Sequence, residues 1–265
     1  MRYAPSTGYQ HGAAIDTGSP LLRGLAAYWP MNDGEGLVAK NLAQTLGRNA
    51  TLTSGPTLGV GRPGRCLRFN GTSNYLVTSA FTLGAADVNR VSCSVWFSLA
   101  DPAVNTRRTI ITTTSSGTTG GWQIETGTSQ GAGSVGVIVP GVFLVESSLG
   151  VIGDSGWHHL AYVRRGAGAT HELWLDGRKL TLAANGTDAF ADLNQAKSIG
   201  RRDTGSQYWN GGLAHLCLYN RALTPAEIAT LSSVYAPFAP PQRYYLIDVP
   251  AAGGSGNPWY AYAQM

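Results

Sequence analysis

The chain has 265 residues, a net charge of +4 and 13% charged side chains, about half the usual share of roughly 25%. Hydrophobic residues make up 43%, which excludes disorder, because disorder needs low hydrophobicity together with high charge. Gly, Ser, Thr and Asn mainly replace the missing charge, with thirty-five glycines and thirteen prolines, and Ala, Glu, Lys, Leu and Arg do not dominate in a 3.5 period, which excludes a coiled coil and leaves a β-rich chain.

Residues 1–23 are rich in Gly, Pro, Ser and Thr, show no period and read as an N-terminal arm. The first residues, Met1-Arg2-Tyr3-Ala4-Pro5-Ser6, carry no apolar stretch, so no secretion signal is expected. From Leu25 to about Tyr219 short apolar alternations are cut by glycine turns, the pattern of a sandwich or barrel. Val91, Cys93, Val95 and Phe97 fall on one strand face, and Ser92, Ser94, Trp96 and Ser98 on the other. Ser134–Val139 and Gly141–Val145 make a strand pair around Pro140-Gly141. Trp157, His159, Ala161 and Val163 alternate likewise, and their face is expected to be core, with His159 a buried histidine hydrogen-bonded to backbone. Asp176-Gly177, between His171–Leu175 and Arg178–Leu182, predicts a hairpin, because a type I′ turn needs positive φ at both central residues. Thr224-Pro225-Ala226-Glu227 combines a capping box with proline at the first helical position and predicts a helix over 225–234.

Residues 236–265 differ again. From Tyr235 to Met265 seven aromatics accompany two charges, Arg243 and Asp248. Flexible tails avoid aromatics. This segment therefore reads as a C-terminal arm made to lie on a partner, with Phe238, Tyr244, Tyr245, Trp259, Tyr260 and Tyr262 as the contacting side chains. The domain between the arms is 24–235.

The remaining signals are spare. Arg107-Arg108, Arg164-Arg165 and Arg201-Arg202 are pairs outside any basic stripe with interleaved aromatics, so no nucleic-acid partner is expected. No window approaches 18 apolar residues, so no membrane span is expected. Cys66, Cys93 and Cys217, odd in number and widely spaced, read as buried thiols. Asn49-Ala50-Thr51, Asn70-Gly71-Thr72 and Asn185-Gly186-Thr187 match the glycosylation pattern but read as turn chemistry. His158-His159 are adjacent, so on a strand they point to opposite faces and cannot chelate together.

Five segments in order carry a resemblance: Gly24–Gly36, Leu67–Leu76, Val91–Leu99, Gly156-Trp157-His158-His159-Leu160-Ala161 on to Leu173-Trp174-Leu175-Asp176-Gly177, and Trp209-Asn210-Gly211-Gly212-Leu213 on to Ile228. Together they resemble the laminin G-like branch of the concanavalin A-like lectin/glucanase superfamily over about 24–234. The resemblance implies an all-β, two-sheet antiparallel jelly-roll sandwich with one short C-terminal helix.

It also frames the chemistry. Glucan-cutting members carry clustered carboxylates on one strand, and a glycosidase needs two carboxylates roughly 5–10 Å apart across the scissile bond. The nearest pair, Glu172 and Asp176, places Asp176 in a hairpin turn and has no third carboxylate after it, so no enzyme is expected. Many relatives hold Ca²⁺ at a loop rim through oxygen ligands. Asp33, Glu35 and Asn70 are the candidates here, with Asp203 a further loop acid. Relatives often have Asp at the place of Asn70 and Asp-Glu at the place of Ala214-His215, so affinity is expected to fall with the lost charge. Arg201, Arg202, Asp203, Gln207, Tyr208 and Trp209 lie in one loop-rich stretch and form a candidate glycan-binding rim, with Trp122 a further aromatic and with packing of Trp209 under the loop as the other reading.

Two functions follow as expectations. Domains of this family are reused in phage particles, which implies a structural component of a tailed-phage virion, in capsid decoration or tail, docked through its arms to other virion proteins and to itself. The alternative is a lectin-like carbohydrate-binding module, Ca²⁺-dependent or not, recognising cell-surface glycans.

Overall fold

A computed structural model of the protein describes residues 18–32, 36–43, 47–61, 64–113, 121–139, 142–168, 170–187, 191 and 193–233, with two short strands beyond them. The alternating runs become β1 (Leu25–Trp29), β2 (Val38–Ala39), β3 (Ala50–Thr53), β4 (Thr57–Gly61), β5 (Gly64–Asn70) and β6 (Tyr75–Phe81). Next come β7 (Ser92–Leu99), β8 (Arg108–Thr112), β9 (Gln123–Thr126), β10 (Val135–Val139), β11 (Val142–Ser147) and β12 (Trp157–Arg164). The series ends with β13 (His171–Leu175), β14 (Arg178–Lys179), β15 (Leu182–Asn185), β16 (Gln195–Ile199) and β17 (Asn210–Tyr219). One helix, α1 (Pro225–Ser233), follows, and a short 3₁₀ turn, Pro20–Leu22, precedes β1. Beyond α1, β18 (Tyr245–Leu246) pairs antiparallel with β19 (Tyr262–Ala263).

All pairings among the described residues are antiparallel, and β1–β17 form two sheets. The first runs β14-β13-β12-β7-β17-β5-β4, with β1 also on β17; the second runs β15-β11-β10-β9-β8-β16-β6-β3-β2. The result is the expected jelly-roll sandwich. Strand β17 is its axis. One side pairs with β7; on the other, β5 takes Asn210–Leu213 and β1 takes Leu216–Tyr219. The bulge between those halves places His215 at φ 49, where its Nδ1 shares a 2.7 Å hydrogen bond with the Tyr28 hydroxyl.

Between the sheets lies one core. Cys93, Val95, Phe97, Leu160, Tyr162, Leu213 and Leu218 meet Leu76, Ile111, Ile124, Val137, Val145 and Ile199 there. The expected face of β7 is thus the core face. For β12 the expected face is buried, but not between the sheets. Leu160 and Tyr162 enter the inter-sheet core, while Ala161 and Val163 point outward into a second cluster. Cys217, Tyr219, Leu223, Ile228, Leu231 and Leu21 complete that cluster, formed where α1 and the 3₁₀ turn cover the sheet. Trp157 packs outside too, against Trp96 and Cys66. A strand buried on both faces is apolar on both, so alternation cannot say which side faces the main core. His159 is 0% exposed, and its Nε2 lies 2.8 Å from the Ser94 hydroxyl, a side-chain rather than a backbone partner.

Local chemistry sets the turns and the helix. Asp176 and Gly177 have φ of 50° and 76°, the pair a tight β13–β14 turn requires. The hairpin is shorter than expected: Arg178–Lys179 pair back, Leu180 adds one N–H to the Leu173 carbonyl at 2.8 Å, and Leu182 already belongs to the other sheet. In the capping box the Glu227 N–H donates to Thr224 Oγ1 at 3.3 Å and the Thr224 N–H to Glu227 Oε2 at 2.8 Å. Arg221 forks onto both Glu227 oxygens at 2.7 and 2.8 Å. Burial alone would raise the Glu227 pKa, but these donors outweigh it and hold it at about 2. The three cysteines are free and buried. No helix among the described residues is long and apolar enough to cross a membrane.

Candidate functional site

The loop end of the sandwich, where β17 begins, gathers most of the expected rim. Arg202 and Ser206 bridge a tight turn after β16, and Trp209 returns the chain by donating its N–H to the Gly200 carbonyl at 2.8 Å. Arg201 lies flat over Tyr75, its guanidinium carbon 3.5 Å from the ring centroid, and Tyr208 sits 6.5 Å from Tyr75. All three are half-buried. Arg201 Nε and Asp203 Oδ2 are enclosed without a hydrogen-bond partner. Arg108 fixes the floor, its Nη1 donating to the carbonyls of Tyr208 and Gly71 at 2.9 and 3.0 Å.

Two expected rim members are elsewhere. Trp209 is 0% exposed, donates its indole N–H to the Gly212 carbonyl at 3.3 Å and meets Phe97 edge-on at 5.8 Å. It offers no face to a sugar, because a large indole gains more by filling the core beneath the loop. Trp122 is likewise a core residue, 5.8 Å from Tyr162.

Of the cation candidates, Asn70 is described, and Asp33 and Glu35 lie outside the described residues. Asn70 Oδ1 accepts the N–H groups of Thr72, Ser73 and Asn74 at 3.0, 3.0 and 3.1 Å, and its Nδ2 donates to Ser73 Oγ at 3.0 Å. Asn74 Oδ1 reciprocates by accepting the Asn70 N–H at 3.0 Å. An oxygen with three donors on it is the keystone of the β5–β6 turn, and it has little left to give a cation. Among the described residues no three His, Cys, Asp or Glu side chains cluster as a metal site.

The carboxylates have structural partners. Glu172 accepts from Arg165 Nη2 at 2.7 Å, Lys179 Nζ at 2.8 Å and Trp174 Nε1 at 3.0 Å. Burial works to raise its pKa, yet these donors hold it at about 2. Asp176 shares a 2.8 Å hydrogen bond with His158 Nδ1 and accepts the His159 N–H at 2.8 Å. That contact with Asp176 raises the His158 pKa.

A second polar group, unmarked in the sequence, occupies the outer face of the second sheet. Glu125 is 0% exposed, and its Oε2 accepts from Arg107 Nε at 2.8 Å and Nη2 at 2.6 Å. Gln123 Nε2 donates to Oε1 at 2.6 Å, and the Thr109 hydroxyl donates to Gln207 Oε1 at 3.1 Å. Burial raises the Glu125 pKa, and Arg107 only partly opposes it. Gly136 is in register with both Glu125 and Glu146, so the three share a face, the glutamates two strands apart. Glu146 accepts the Ser129 N–H and hydroxyl at 2.9 and 2.8 Å. The space between is filled: a Cβ on Gly136 would come within 2.9 Å of Thr128 and 2.8 Å of the Val145 carbonyl.

The family model for laminin G-like domains of the concanavalin A-like lectin/glucanases superfamily matches residues 70–229, more than half the chain. The chain belongs to this superfamily. No curated protein sequence matches it. Among solved structures, this superfamily member is similar to domain 4 of AbnA, a GH43 extracellular arabinanase from Geobacillus stearothermophilus, in complex with arabinotriose. That likeness has a TM-score of 0.54 and 18% identity, over 79% of this chain and 98% of that one. It is also similar to the binding domain of botulinum neurotoxin DC in complex with rat synaptotagmin II, with a TM-score of 0.62 and 10% identity, over 85% of this chain and 58% of that one. The botulinum neurotoxin serotype D binding domain gives 0.59 and 11%, over 80% and 52%. The chain thus spans little more than half the length of the neurotoxin domains, and at these identities the likeness establishes the fold alone.

Among the expected partner-contacting residues of this superfamily member, Phe238, Tyr244, Trp259 and Tyr260 lie outside the described residues. Tyr245 and Tyr262 are described through their backbone, each in one of the two paired strands.

Proposed function

We propose that the protein is a non-catalytic recognition module that binds carbohydrate at the loop rim and is carried in a larger assembly by its terminal segments. The observation that carries this reading is the rim itself: Arg201 stacked on Tyr75 beside Tyr208, half-exposed and held on a framework fixed by Arg108. Sugar sites combine such aromatic faces with polar groups. The arabinotriose-bound and receptor-binding neighbours share the architecture and support recognition over catalysis. The engagement of Glu125 and Glu146 with structural partners also speaks against hydrolysis, which needs two carboxylates free across a bond.

The finer reading of the assembly is a tailed-phage virion, in which the charge-poor flanks dock to neighbouring virion proteins or to further copies of the chain. Its support is the run of seven aromatics and two charges from Tyr235 to Met265. The chain also enters the domain away from the rim. Gly24 accepts the Asn220 N–H at 2.9 Å beyond one end of β17, while Asn210 and the rim occupy the other.

Two experiments test this. On a broad glycan array, with and without calcium, the protein binds a defined set of glycans and Tyr208→Ala reduces the signal at least fivefold. An array blank under both conditions removes the carbohydrate reading. Deleting 236–265 leaves a folded domain that no longer co-purifies with its assembly; undiminished docking of the truncated chain removes the arm reading.

A further inference from the structure

Beside the rim, a cavity of about 170 Å³ opens between the ends of β7, β8, β9 and β17 and the loops that follow β7 and β9. This exceeds the roughly 30 Å³ that one water occupies in the liquid and falls short of the roughly 300 Å³ where drug-sized sites begin. We propose that this cavity is a binding subsite for a single neutral sugar ring. The proposal rests on the carbohydrate reading above and deepens it.

The lining carries unspent polarity. Thr126 is 1% exposed, and its hydroxyl has no hydrogen-bond partner among the described residues. Asn210, half-buried, brings a side-chain amide to the same space. Arg108 commits Nη1 to two carbonyls and leaves its other guanidinium donors open. A hydroxyl, an amide and a guanidinium around one space, with Leu99 and Val104 supplying an apolar wall, suit a ring with hydroxyls on its edge and C–H groups on its face.

Charge selects among such rings. Asp101 lines the cavity with Arg108. A charge on the ligand would be attracted by one of the pair and repelled by the other, and would still give up its hydration on entering. A hydroxyl, which both donates and accepts, satisfies the two. The wall is also built in advance. Gly127 has φ +64, and a Cβ there would lie 2.5 Å from the Thr106 carbonyl, so the two loops meet backbone to backbone. Glu146 ties down Ser129 and Gln130 of the loop after β9. A pocket fixed beforehand binds without the cost of ordering its loops.

The test is isothermal titration of the full chain with methyl glycosides of neutral hexoses and pentoses, glucuronic acid and glucosamine serving as charged comparators. At least one neutral glycoside binds saturably, and the comparators bind at least tenfold more weakly. Thr126→Val, nearly isosteric, weakens binding at least fivefold. Val104→Trp, at a position 45% exposed, fills the mouth without touching the core and abolishes binding; it decides the matter if Thr126→Val unfolds. Binding that survives both substitutions but is lost in Tyr208→Ala overturns the cavity and leaves the rim reading intact. Oligosaccharide binding on the array with no single glycoside bound does the same. Stronger binding of a charged comparator overturns the neutral class, and a protein that binds neither glycosides nor array loses both readings.

Discussion

The two sheets present opposite outer faces. The first carries Ala161, Val163, Cys217 and Tyr219 outward and closes them under α1 and the 3₁₀ turn, so it is apolar on both sides. The second carries Thr109, Gln123, Glu125 and Glu146 outward, each nearly inaccessible yet held by hydrogen bonds among themselves and the adjoining loops. One face is stabilised by burial, which is non-directional and scales with area. The other depends on paired polar groups, whose net contribution is small but whose unpaired cost is large. The loop that carries Arg201 and Tyr208 leaves the polar sheet at β16, whereas the cavity takes its lining from the ends of both sheets.

Acid is the strongest probe of this contrast. Glu172 and Glu227 flank the helix-covered side with pKa values held at about 2 against an ordinary 4.5. Both are depressed, so their contribution is fully present above about pH 5 and is lost as pH falls toward 2. Each accounts for up to about 3 kcal/mol. Glu125 has the opposite sign: its raised pKa means that folding favours the protonated form, so its contribution improves on acidification. Urea unfolding between pH 6 and 2 therefore loses several kcal/mol in the wild type, and Glu227→Gln flattens that slope while Glu125→Gln does not. Next in size, Ile228→Ala removes a fully buried side chain from beneath α1 and costs about 2–5 kcal/mol, read as a lower urea midpoint at unchanged slope. The smallest effect is Glu125→Gln at pH 7. The ionised carboxylate is incompletely compensated for its burial, and Arg107, 37% exposed, can turn to water. Stability then changes by about 1 kcal/mol or less. A loss above that of Ile228→Ala would reverse the ranking of the two faces.

What the sequence disclosed follows the same division. Asp176-Gly177 and Thr224-Pro225-Ala226-Glu227 act through neighbours within four residues, and both motifs form as expected. The direction of Trp157, His159, Ala161 and Val163 depends on a helix some sixty residues later, and a period of two is blind to it. Trp209 illustrates a second limit. Its loop composition suggests a rim, but volume and the Gly212 carbonyl draw it inward. The Glu125 group was hidden because Arg107 and Thr109 come from an earlier stretch of chain and Gln207 from a distant loop. The alternation of Gln123 and Glu125 around Ile124 was the available signal.

The place of β17 has a consequence for how the chain acquires its structure. Leu25 pairs with Tyr219, about 190 residues away, and β5 and β7 also wait for β17. Long-range pairing of this kind slows folding, because loop closure precedes the contacts that reward it. On the ribosome, β1 emerges without its partner, and β5 and β7, which find β4 and β12 earlier, keep their other edge open until almost the whole domain is made. Nascent chains stopped before Asn210 should remain protease-sensitive, and those carrying residues through Ser233 beyond the exit tunnel should become resistant in a single step.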